Sequence, residues 1–137
     1  DFQGKKILSG GTTADIVARE LNIAIEDTLE FDDPELPPIS KMEGIDLVTE
    51  GILTLSKVSR LLLEYDHNYV FGKGPADLIC RMLLESDEIN FLIGTKINEA
   101  HQDPNLPIDL EIRRTVIRRI VRILEEQFLK DVYIEFI

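Results

Sequence analysis

Cysteine is nearly absent from this chain: Cys80 stands alone, so no disulfide can close within it. The residue lies in the amphipathic stretch Asp77–Leu84 and reads as a buried, inert thiol, in keeping with a reducing, cytoplasmic compartment. Long apolar runs are missing too. None approaches the roughly 18 residues of a membrane span, so no membrane partner is expected. The sequence starts at Asp1 and shows no initiator methionine and no charged-then-apolar signal segment, and the expectation is a fragment of a larger protein. Histidine occurs twice, at His67 and His101, and neither position makes a metal-ligand cluster. No serine sits in a nucleophile-type turn beside a base, which leaves no Ser-His-Asp triad to argue.

Basic residues are outnumbered. The formal net charge of −11 repels phosphate backbones and anionic surfaces, which argues against nucleic acid as a partner. Part of the acidity lies in Glu26–Glu35, read as a solvated edge and loop that deters aggregation. At 44% hydrophobic and 30% charged residues, the 137-residue chain is composed like a single globular domain with one core.

Strand and helix patterns alternate. Lys5 to Ser9 reads as a strand, Ala14 to Leu21 as a helix opened by Thr12 and Thr13, and Ile23 to Phe31 as a half-buried strand. Asp32 to Met42, with Pro34, Pro37 and Pro38, is expected to be loop. Glu43 to Gly51 is a strand or a turn leading into a helix. Thr54 to Tyr65 and Pro75 to Leu84 have helical spacing, and Glu88 to Thr95 carries an interior-strand run. A polar loop from Asn98 to Pro107 precedes the longest helix, Ile108 to Phe128, and Asp131 to Ile137 alternates as a last strand. The fold class that follows is α/β: one domain with a mainly parallel or mixed sheet flanked by helices.

The strongest local feature is Ser9-Gly10-Gly11-Thr12-Thr13, where a strand feeds a helix through two glycines. Such a turn aims backbone amides, hydroxyls and the positive helix end at one point, a geometry suited to a phosphate, a carboxylate or a nucleotide. No Lys-Ser/Thr follows the glycines, so it is not a P-loop. The loop after the Glu88–Thr95 strand, with Thr95, Asn98 and His101, is expected on the same rim, because ligand crevices lie at the carboxyl ends of parallel strands. Arg118, Arg119 and Arg122 read as the outward face of the long helix. Arg113 instead falls on the apolar stripe with Ile117, Ile120 and Leu124, where a cation requires a carboxylate or a bound anion. Asp46 and Glu50 are the candidate structural partners. Glu43, Asp46 and Glu50 together read as surface rather than as a metal site.

Three segments carry a resemblance. Gly10 to Leu21 (GGTTADIVAREL), Pro37 to Gly51 (PPISKMEGIDLVTEG) and Ile93 to Pro104 (IGTKINEAHQDP) resemble the carboxyl-terminal region of bacterial stage II sporulation protein E-type phosphatases. These are metal-dependent serine/threonine protein phosphatases, and the resemblance spans nearly the whole chain, in the part that follows the catalytic domain. It implies a parent whose catalytic domain holds two divalent metals, Mn or Mg, on aspartates that include an Asp-Gly pair. This chain contains no Asp-Gly pair, so no cofactor and no phosphoserine hydrolysis are expected of it alone. The expectation is a non-catalytic accessory or regulatory domain, binding a small anionic ligand or the parent catalytic domain. Two other readings stand beside it: an independent enzyme acting on a phosphorylated small molecule, with Arg113 gripping the substrate and His101 or Glu50 moving a proton, and a structural module that forms a homodimer through an apolar helix face.

Overall fold

The computed structural model describes residues 4–27, 33–36, 39–93 and 106–136. Its architecture is α/β, with a mixed four-stranded sheet, a further pair of parallel strands and four helices. The large sheet has the order β1 (Ile7–Ser9), β4 (Leu47–Thr49), β3 (Ser40–Met42), β2 (Ile25–Asp27). β1 and β4 are parallel, in the register Ile7 to Leu47 and Ser9 to Thr49, while β3 runs antiparallel to both of its neighbours. β4 thus sits inside the sheet. This explains why its pattern is ambiguous in sequence: all three of its residues are buried, so no apolar–polar alternation marks it.

The alternation survives in which core each side chain enters. Leu47 joins the larger core, built with α2 (Ile52–Leu63), α3 (Pro75–Glu85), α4 (Leu106–Glu126) and β5 (Glu88–Ile93). Val48 points to the other face and meets Ala14 of α1 (Gly11–Leu21) and Met42. The sheet is therefore covered on both faces, by α1 on one side and by α2 and its companions on the other. Val58, Leu62, Ile120 and Leu124 lie at the centre of the larger core, all at or below 1% exposure. They recur along α2 and α4 at helical spacing, which is what packs those two helices together. β6 (Asp131–Phe136) runs parallel to β5 over all six residues and is reached through α4, a β-α-β crossover.

The helix ends follow local chemistry. Asn22 takes the left-handed conformation after α1, and the Ile23 amide donates to the Ala18 carbonyl, a Schellman-type stop. Pro75 opens α3 in its first turn, as the sequence pattern expects. Other boundaries differ from expectation. Ser40–Met42 falls inside the expected proline-rich loop yet is a strand, because the prolines end at Pro38 and leave Ser40 to Met42 free to pair. α1 and α2 begin at Gly11 and Ile52, earlier than expected, since each glycine–helix junction already has its first amide bonded back to it. α4 likewise starts at Leu106, inside the segment expected to be loop, with Pro107 in its first turn. β5 and β6 form their own two-stranded sheet rather than extending the first.

One expected surface acid is partly buried instead. Asp33, in the acidic stretch, retains only 12% side-chain exposure and pairs with Lys57 of α2 while accepting from the Glu35 amide at 3.0 Å. The Lys57 hydrogen bond, then the Glu35 amide, hold its carboxyl below the ordinary carboxylate range. A depressed folded-state pKa stabilises the fold above the unfolded value of about 3.9, and this contribution disappears as pH falls through the folded value. Asp33→Asn is therefore expected to lower the urea midpoint at about pH 7 but to cost much less at about pH 3. Urea titrations of both proteins at the two pH values check this.

Candidate ligand site

The carboxyl ends of β1 and β4 lie side by side, and each strand runs directly into a helix. At this edge the Gly10 amide donates to the Thr49 carbonyl at 2.9 Å. Thr49 Oγ1 donates to Ser9 Oγ at 3.3 Å, and Ser9 Oγ donates to the Glu50 carbonyl at 3.1 Å. Ser9 thus serves as the clamp between the two strand ends. Gly10 has φ 111° and ψ 130°, a conformation that side chains resist, and this is what allows so abrupt a strand-to-helix turn. Gly51 comes equally close: a Cβ built on it would lie 3.4 Å from the Gly10 Cα. The starts of α1 and α2 therefore meet through two glycines, with no side chain between their backbones.

Neither start is capped. Gly10 and Gly51 are the N-cap residues and bring no side chain to the free amides, and neither first turn holds an acid. The helix begins one residue ahead of Thr12 and Thr13, so both lie inside its first turn rather than opening it. The first helical bonds are Ala14 to Gly10 and Leu55 to Gly51, both 3.0 Å. The amides of residues 11–13 and 52–54 precede those bonds and have no acceptor within their helices. Two positive helix ends converge here without a counter-charge from their own turns.

Two buried polar atoms beside this junction have no hydrogen-bond partner: Glu50 Oε2, just ahead of α2, and Thr54 Oγ1, in its first turn. Thr54 is fully enclosed, at 0% exposure. An orphaned buried polar group costs about 1–3 kcal/mol, so this end of the fold is left short of full polar pairing. Sequence reasoning missed Thr54. Its one signal is a hydroxyl on the stripe Thr54, Val58, Leu62, a run otherwise apolar.

Arg113 is half-buried on α4 and makes no ion pair with either expected acid. Asp46 is already engaged, accepting from the Lys6 amide at 2.7 Å and pairing with Lys5 at 3.8 Å, while Glu50 Oε2 has no partner. Tyr65 and Phe128, just past the ends of α2 and α4, meet with tilted rings at a centroid distance of 5.6 Å, so the two helices finish together. Arg113 lies about two turns into the 21-residue α4, one turn ahead of the buried Val116 and Ile117. Thr95, Asn98 and His101 lie outside the described residues.

The other candidates fall as the pattern indicates. Arg118, Arg119 and Arg122 are exposed, and Arg122 pairs with Glu126 one turn on at 3.3 Å. Burial, then the nearby Asp77 carboxylate, push the Cys80 thiol up to about 12, and its Sγ faces the Val58 carbonyl at 3.7 Å, so it is no nucleophile. His67 is exposed, edge-on to Tyr65. Among the described residues no three His, Cys, Asp or Glu side chains gather as metal ligands, and no helix is long and apolar enough to cross a membrane. No protein-family model matches the chain, and neither does any curated protein or solved structure.

Proposed function

We propose that this chain is a cytoplasmic, non-catalytic accessory domain of a stage II sporulation protein E-like serine/threonine phosphatase, and that it receives a small anionic ligand where α1 and α2 begin. The observation that carries the ligand reading is the junction itself: two uncapped helix starts in contact through Gly10 and Gly51. Arg113, which among the described residues pairs with no acid, would supply the charge that a phosphate or carboxylate meets.

The phosphatase parent rests on the three quoted segments. The Asp-Gly pair that the resemblance gives to the catalytic domain is missing from this sequence. The metals and the hydrolytic step belong, on this reading, to the parent's catalytic domain.

A thermal-shift screen of phosphorylated metabolites and nucleotides against the chain tests the ligand reading. A true ligand at a hundredfold excess over its dissociation constant adds about 2.7 kcal/mol of stability and raises Tm accordingly. Arg113→Ala is expected to weaken that ligand about 10- to 100-fold, the worth of one charge-assisted contact. A panel without any stabilising anion, or a ligand indifferent to Arg113→Ala, would count against the site.

A further inference from the structure

β6 ends the described chain at the edge of its sheet. One side of the strand is fully paired with β5, and among the described residues no strand pairs with the other. Edge strands are normally protected by charged side chains, lysine above all, by proline or by a bulge. β6 reads Asp-Val-Tyr-Ile-Glu-Phe, with Asp131 and Glu135 as its charges and no proline or lysine inside it, and Lys130 just ahead of it is turned to the Leu84 carbonyl at 2.9 Å. Its large side chains stand in solvent: Tyr133 is 58% and Phe136 45% exposed, and Leu92 on the adjoining strand is 68% exposed. A parallel pair with so little cover is an unusual end for a sheet, since parallel strands are ordinarily interior.

Beside that edge runs an open cleft of about 230 Å³, lined by Arg118, Val121, Arg122, Glu125, Glu126 and Ile134. The order of charge along it is directional, bases toward the start of α4 and acids toward its end. Arg114 lies over the Phe136 ring at 5.9 Å, so the start of α4 sits at the end of β6 and the two run antiparallel. A two-fold axis normal to the sheet would pair β6 with a second β6 antiparallel and lay the two α4 helices side by side, reversed. The bases of one cleft then face the acids of the other. A second copy matches both the strand edge and this charge order.

We propose that β6 is a homodimer edge, joining two copies into a continuous sheet of the order β5-β6-β6-β5 with the paired clefts closed by Arg118 against Glu125 of the other copy. This does not depend on the ligand reading. Analytical ultracentrifugation of the full 137-residue chain is expected to show a species of twice the 15.6 kDa chain mass, in reversible equilibrium with monomer. Ile134→Lys, at a partly exposed cleft position, is expected to weaken association at least about tenfold, with the Tm of the dilute monomer little changed. Arg118→Glu is expected to weaken it as well, and Arg118→Glu combined with Glu125→Arg to restore it, an effect no loss of folding would give. A chain monomeric at every concentration would overturn the proposal. So would a dimer indifferent to Ile134→Lys, or a charge-swapped double variant no better than the single one.

Discussion

Leu124→Ala is expected to lower the unfolding free energy by about 3–5 kcal/mol, the upper part of the range for buried leucine truncations. Leu124 is 0% exposed and shares its core with Ile120, Leu62 and Val58, contributed by two helices that pack on each other and on the sheet. Three secondary-structure elements converge on the vacated space, and none can move in without breaking its own packing, so the cavity persists. A domain of this size has about 5–15 kcal/mol in total, which makes the variant a marginally folded protein. Leu63→Ala is the matched control: at 59% exposure on α2 it is expected to change stability by less than about 0.5 kcal/mol. Urea unfolding of both variants, with unchanged slopes, checks the pair. Equal losses would mean that the packed core does not lie between α2 and α4.

Gly10→Ala is expected to act twice. A Cβ at φ 111° forces strained backbone worth about 1–3 kcal/mol. Relief of that strain would move the start of α1, which is held against Gly51 by the Gly10 amide and the Ser9 hydroxyl. Stability should fall, and the stabilising shift from an anionic ligand should fall with it. Gly44→Ala separates the two effects. Gly44 also has a positive φ, 85°, and a Cβ there meets nothing within 4 Å. Its variant is expected to lose comparable stability while keeping the ligand response in thermal-shift measurements. If both variants kept the response, the glycine turn would have no part in binding.

Much of the fold was legible because its strongest signals are periodic. The helices over α2, α3 and α4 follow from apolar spacing, and β5 and β6 from an apolar run and a clean alternation. β4 resisted because an interior strand of three buried residues has no pattern to show. β3 was hidden by its neighbouring prolines, which forbid strand only at their own positions. At the site, the double-glycine turn was readable from composition. Its meeting with Gly51 was not, since the contact joins segments some 40 residues apart through the parallel register of β1 and β4. That neither Asp46 nor Glu50 pairs with Arg113 was equally hidden: periodicity places it on the buried stripe, while the engagement of Asp46 with Lys5 and Lys6 is a tertiary fact. Asp33 shows the converse, an acid in a run that reads as solvated but is drawn under cover by Lys57.

The central claim is that the paired starts of α1 and α2 accept an anion, and amide-resolved NMR reads those groups directly. Titrating the chain with inorganic phosphate, and then with whichever phosphorylated compound stabilises it, is expected to shift the amides of Gly11 to Thr13 and Ile52 to Thr54 together, along one saturating curve. Arg113→Ala should move that curve to higher concentration. Shifts that never saturate, or that gather elsewhere while these six amides stay still, would contradict it.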